Sequence, residues 1–295
     1  MSGAQSARLP DGRLHLQHGP IDLVIEAFGP SGEVMLAYGQ ASERFGDILE
    51  TLVRELSLLR RPVGDAYPLL QGPVARRMAA AVWPYRDVFI TPMAAVAGSV
   101  ADEILEAMVR GRELDKAYVN NGGDIAIHLT PGHTLRAGIV ADVDTPALSG
   151  FALLSHERPV RGIATSGWSG RSFSLGIADS ATVLAASAAA ADAAATIVAN
   201  AVNADHSAIE RRVACDLNPD TDLGDLLVTT AVGDLPACVV ARALGRGATE
   251  ARRLRARGVI DSAALSLKGE WRIEAEKAVS TEYQKLVQGE GGGAL

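Results

Sequence analysis

Lysine is nearly missing from this chain, which carries it only at 116, 268, 277 and 285. The positive charge is therefore almost all arginine. With the abundance of alanine, we read that as coding bias rather than as an arginine-built site. Basic residues number 28 against 35 acidic ones, for a net charge of −7. Such a chain lacks the basic surface that a nucleic acid or an anionic membrane requires, so neither is an expected partner. Cysteine is equally sparse: Cys215 and Cys238 cannot hold zinc alone and stand outside any C-x-x-C spacing. They read as two buried free thiols, with a structural pair as the alternative. Long apolar runs are missing too. The least polar stretch, 182–202, is mostly alanine and is broken by Ser187, Asp192, Thr196 and Asn200. A spanning segment needs about 20 strongly apolar residues, so this is a packed helix. The first residues, MSGAQSARLPDGRLHLQHG, lack the apolar core of a signal peptide, and the expectation is a cytoplasmic protein. Also absent are a P-loop, an H-E-x-x-H, a G-x-G-x-x-G after a strand and a nucleophile elbow.

What remains is an ordinary soluble composition, 48% apolar and 21% charged, in 295 residues that can bury a sizeable core. Residues 1–12 read as a loose terminus. Alternation around Leu14 and Leu16, and over 21–28, gives two strands joined at Gly19-Pro20. Phe45, Ile48, Leu49, Leu52, Val53, Leu56 and Leu59 recur at three and four, predicting a helix over 40–59 that Pro62 and Gly64 end. A short helix over 73–83, a strand over 88–91 and a helix over 93–109 follow. Short strands come next, at 117–120, 124–129, 135–140, 150–154, 160–165, 173–177 and 181–185, separated by Gly and Pro as in an antiparallel sheet. A helix over 188–202, a strand over 226–232, a helix over 236–257 and a strand over 260–267 complete the reading. The fold class is α+β, antiparallel sheets packed with helices. It forms a single domain over 1–288 with a flexible tail at 289–295.

Three stretches concentrate polar groups. Asn120-Asn121-Gly122-Gly123-Asp124 lies between apolar runs, where Gly-Gly can offer backbone N–H groups to a ligand or supply the positive φ of a turn. Thr165-Ser166-Gly167-Trp168-Ser169-Gly170 offers hydroxyls and glycines after a buried strand, with no sequence-adjacent histidine to make a serine nucleophile. Asp192, Thr196 and Asn200 share one helix face at i, i+4 and i+8. A carboxylate buried among Ala, Ile and Val needs a partner. In a chain short of lysine, that partner is a hard divalent cation such as Mg²⁺; the alternative is that Asp192 caps a neighbouring loop and Thr196 bonds back to its own helix. The helix start Met93-Ala94-Ala95-Val96-Ala97-Gly98-Ser99 has almost no bulk, so another element or a ligand can approach its backbone closely. The acidic run 216–225 lacks the EF-hand pattern and reads as a solvated loop. His15, His18, His128, His133, His156 and His206 show no metal-ligand spacing.

Taken together, these stretches resemble the ApbE-like superfamily, the fold of the flavin transferases, over roughly 88–203. Asn121-Gly122-Gly123-Asp124 is similar to its N-x-G-G-D, Ile163-Ala164-Thr165-Ser166-Gly167 to its I-A-T-S-G, and Ala191-Asp192-Ala193-Ala194-Ala195-Thr196 to its A-D-A-x-x-T. The segment 93–102 resembles G-x-I-A-K-G-Y-A-x-D. The rest of the chain, with Asp222-Leu223-Gly224, resembles a small cytosolic branch without an assigned activity. The resemblance implies an ApbE-like fold and a bound FAD or FMN with Mg²⁺. It assigns Asp192, Thr196 and the Ala94 carbonyl to the metal. It assigns Asn121, Gly122, Gly123, Asp124, Thr165, Ser166, Gly167 and Asp102 to the nucleotide or flavin ligand. Two departures stand out. The family's lysine falls on Ala97, and its H-I-x-D-P-x-T-G loop is replaced by the shorter, histidine-free segment 172–179. The family uses that histidine in moving FMN to a threonine, so this chain is expected to keep a ligand cleft without the transfer. Alternatives on the same scaffold are a component of sulfur assimilation into homocysteine, acting beside a protein partner through Cys215 or Cys238, and a cofactor-free binding module.

Overall fold

The computed structural model describes residues 3–140 and 148–275, so the expected tail at 289–295 lies outside the described residues. Helices and antiparallel strands make an α+β fold, gathered into two compact units. The first unit holds the described residues up to Thr134 together with 155–164 and 185–193. Its strands run antiparallel in the order Gln5–Arg8, Leu14–His18, Ile21–Phe28, Lys116–Asn121, Asp124–Leu129 and the start of Gly162–Ser166. The apolar alternation decides which face is covered: Leu14, Leu16, Ile21, Leu23, Ile25 and Ala27 are all buried. Helix Val96–Val109 packs on strands Lys116–Asn121 and Asp124–Leu129 and on helix Ser31–Phe45. Leu23, Ile25, Phe45, Met78, Ile104 and Met108 fill the space beneath.

Several sequence expectations change here. The loose terminus contains a strand, with Gln5 to Arg8 in register against Gln17 to Leu14. The helix expected over 40–59 starts earlier and is three pieces, Ser31–Phe45, Ile48–Arg54 and Leu56–Leu59. Apolar periodicity continues across the breaks, but Asp47 and Glu55 leave helical dihedrals (φ −117° and −107°). The Glu55 carboxylate instead accepts the backbone N–H groups of Gln71 and Gly72. Residues 88–91 form no strand; their backbone bonds go to scattered partners, with Val88 N–H donating to the Tyr85 carbonyl and the Ile90 and Thr91 carbonyls accepting from Val63 and Ala94 N–H.

The second unit takes the described residues of 135–154, 165–184 and those from Ala194 on. Ser180–Ala185, Ser262–Leu267 and Glu270–Glu274 pair antiparallel, and helix Ala237–Ala256 packs on the last two. Ile209–Val213, which the sequence reading missed, pairs with Leu227–Val232. Residues 173–177 form no strand either. Their polar groups go one by one to other elements: the Ser174 carbonyl accepts from Thr229 N–H, and Ile177 N–H donates to the Val202 carbonyl. Among the described residues no helix is long and apolar enough to cross a membrane.

Candidate functional site

In the first unit the short turn Pro92–Ala95 leads into helix Val96–Val109, and the small residues at its start admit another element of the chain. A Cβ on Gly98 would lie 2.3 Å from the Ala188 carbonyl oxygen. This approach brings Asp192 to the helix start, where Oδ2 accepts the Gly98 N–H at 2.9 Å and the carboxylate also accepts from Ala97 N–H. Asn121, buried at the end of its strand, donates through Nδ2 to the Ala97 carbonyl at 3.1 Å. The position where the resemblance places a lysine thus uses both its backbone groups within this cluster.

Asp192 is partly exposed although protein surrounds it on most sides. Burial holds its carboxyl well above the usual carboxylate range, and the charges of Asp124 and Asp102 push the same way against the two N–H bonds. Asp102 is raised as well, mainly by burial, although the N–H groups of Ala189 and Ala188 and the Arg77 charge oppose it. Its two oxygens accept Ala188 N–H at 3.0 Å and Ala189 N–H at 2.9 Å, so it caps the start of helix Ala188–Ala201. Two further carboxylates therefore act on Asp192, with no arginine or lysine bonded to it among the described residues. No group of three or more His, Cys, Asp and Glu side chains stands ready to hold a metal among those residues, so a cation at Asp192 would need hydroxyl, carbonyl or ligand oxygens as well.

The Asn120–Asp124 stretch is a two-residue hairpin turn. Gly122 and Gly123 take φ +65° and +111°, and the Gly123 N–H is bound by Asn120 Oδ1 at 2.8 Å. Ala94 lies in the turn before the helix, partly exposed. In the second unit, Thr165 Oγ1 meets Thr182 Oγ1 at 2.8 Å. Gly167 leaves no room for a side chain, since a Cβ would lie 2.3 Å from the Asp179 carbonyl. The Asp179 carboxylate accepts the Trp168 indole N–H at 3.0 Å and the Lys268 backbone N–H. Thr196 follows Asp192 by four residues on helix Ala188–Ala201. Asn200 Oδ1 accepts Ser174 Oγ and Leu175 N–H, fixing the segment that replaces the histidine loop.

Both thiols are free, but neither is fully buried: Cys215 is half-buried and Cys238 exposed, which corrects that part of the sequence reading. Cys215 Sγ donates to Asp225 Oδ1, and that carboxylate raises the thiol above its ordinary value, the reverse of what a sulfur carrier needs. Asp225→Asn is expected to increase the alkylation rate of Cys215 by iodoacetamide at pH 8 several-fold. An unchanged rate would show that the carboxylate does not govern the thiol.

A family described as AbpE bacteria matches residues 6–273. Two proteins named UPF0280 are similar over about half of the chain. That of Methanothrix thermoacetophila is 42% identical over 142 residues, 47% of this chain and 56% of its own length. That of Methanospirillum hungatei is 36% identical over 148 residues, 48% and 57%. The chain thus spans a little over half the length of these curated relatives. Among solved structures, the flavin transferase ApbE from Vibrio cholerae is 12% identical at TM-score 0.49, covering 95% of this chain and 99% of that one. The apo flavinyl transferase ApbE of Pseudomonas stutzeri is 12% identical at TM-score 0.45, covering 100% and 99%.

Proposed function

Since the chain belongs to the family described as AbpE bacteria, we propose that it binds FAD or FMN together with Mg²⁺ at Asp192, without transferring FMN. The observation that carries the reading is the Asp192 carboxylate: protein-surrounded, close to two further acids, partly open, and held only by uncharged N–H donors. A carboxylate oxygen in such acidic surroundings suits a hard divalent cation. Asp192 would hold it, with the Ala94 carbonyl and the Thr196 hydroxyl as the further donors that the sequence motifs suggest. A bound cation would neutralise the phosphates of the nucleotide. Asp124 and the exposed Gly122–Gly123 turn would border the ligand. The absence of transfer follows from the chain's own residues. Ala97 brings no amine, and residues 172–179 bring no histidine.

Melting curves with FAD, FMN and FAD plus Mg²⁺, read beside the visible spectrum, test this reading. Ligand at a hundred times its Kd adds about 2.7 kcal/mol to stability. For a protein of this size that corresponds to about 4 °C. A rise with FAD that needs Mg²⁺ supports the reading. A colourless protein whose melting ignores flavins and Mg²⁺ overturns it in favour of a binding module without cofactor.

A further inference from the structure

Two helix starts in the first unit exchange aspartates. A helix leaves the first N–H groups of its chain without partners of its own. In Val96–Val109, those of Ala97 and Gly98 go to Asp192; in Ala188–Ala201, those of Ala188 and Ala189 go to Asp102. Each carboxylate therefore lies on the positive end of the other helix. Gly98 makes the exchange possible, because its missing side chain lets the Ala188 carbonyl approach. Ser187 adds a hydroxyl bond to Asp102 and accepts the Ala190 N–H at 3.2 Å.

We propose that Asp102 is a positioning residue, which fixes the first turn of Ala188–Ala201 and thereby sets Asp192 against Gly98, and which touches neither metal nor flavin. This replaces the ligand contact that the motif resemblance assigns to it. Both Asp102 oxygens already hold protein donors, and the helix start that would otherwise attract an anion is occupied. The inference rests on the reading of Asp192 as a cation ligand, but its geometric part can be measured without any cation.

The experiment is Asp102→Asn in the full chain, read by amide hydrogen exchange. An amide offers one acceptor oxygen where the carboxylate offers two, so one of the two N–H bonds is lost. Gly98 N–H reports the placement of Asp192; Ile104 and Leu105, farther along the same helix, report general stability. Exchange at Gly98 is expected to accelerate at least about 10-fold more than at Ile104 and Leu105. Mg²⁺ affinity, measured by calorimetry, is expected to fall about 10- to 100-fold, as for other groups that orient a metal ligand. Ile104→Val, a core change on the same helix, should lower stability and move neither quantity. Equal acceleration at Gly98 and Ile104, or none, would make Asp102 a plain structural cap and overturn the proposal. Should Asp102→Asn not fold, Ser187→Ala is read on the same Gly98-to-Ile104 ratio, with about a threefold change expected. Wild-type protein that does not bind Mg²⁺ defeats the cation reading alone, because the exchange ratio still decides the role of Asp102.

Discussion

Alanine at Gly162 is expected to cost about 4 kcal/mol or more, enough to leave little folded protein at 37 °C. Its Cβ would fall 2.0 Å from the carbonyl carbon of Ser187, 2.1 Å from the oxygen and 2.2 Å from Ala188 nitrogen. These are backbone atoms, not the yielding end of a long side chain. They also have nowhere to retreat. Asp102 holds the Ala188 and Ala189 N–H groups, the Arg161 N–H holds the Ala185 carbonyl at 3.0 Å, and Gly98 closes the same segment. Gly162 does not have a positive φ, so lost space alone accounts for the effect. Gly132 is the contrast: its φ is +81° but nothing stands near it, and alanine there should cost about 1 kcal/mol from backbone strain. Urea titrations of the two variants measure both figures. A Gly162→Ala protein that unfolds at nearly the wild-type midpoint would mean that this strand and helix start do not meet as closely as described.

Asp192→Asn is expected to move stability in opposite directions with and without Mg²⁺. The Asp192 carboxyl titrates higher in the folded chain than in the unfolded one, chiefly through burial and then through Asp124. Folding therefore takes up a proton between the two values. Stability from this group is fully present below the unfolded carboxylate range, about pH 4, and is lost as pH rises through the folded value. Asparagine keeps an acceptor for the Gly98 N–H and carries no charge to bury. In metal-free buffer at pH 8 the variant should melt a few degrees above wild type, and the difference should vanish near pH 4. Added Mg²⁺ should raise the wild-type midpoint and leave the variant unmoved. Equal Mg²⁺ shifts in both proteins would remove Asp192 from the cation site.

Much of the frame was legible because its signals are local. The alternation over 21–28 and the Gly-Gly turn after Asn121 each depend on a few neighbouring residues, and they appear where the sequence puts them. The small residues from Met93 to Ser99 foretold a close approach, and the approaching element is the backbone at Ala188. What was not legible depends on contacts across long stretches of chain. Nothing near Asp102 in sequence says that it reaches residues 86 and 87 positions away. Nor does the Asp192 neighbourhood in sequence reveal that the charge of Asp124 acts on it in the fold. The segment 173–177 has the alternation of a strand but lacks a partner in a ladder. Asn200 and Gly176 hold it instead, the glycine because a Cβ would meet the Ala199 carbonyl at 2.1 Å. The helix over 40–59 failed for a related reason. Periodicity records which residues face the core and is blind to the bends at Asp47 and Glu55.

The chain at Ser187–Ala189 is gripped by two glycines and one aspartate, which limits how its length can vary among relatives. One residue added or removed there would rotate the following helix by about 100°. Asp192 would leave Gly98, and a side chain would be driven into Gly162. Insertions and deletions should therefore gather at open turns such as Gly12 and Gly132, where a built side chain meets nothing. Between Ala185 and Asp192 an alignment of relatives should run without a gap, even where few of the side chains agree.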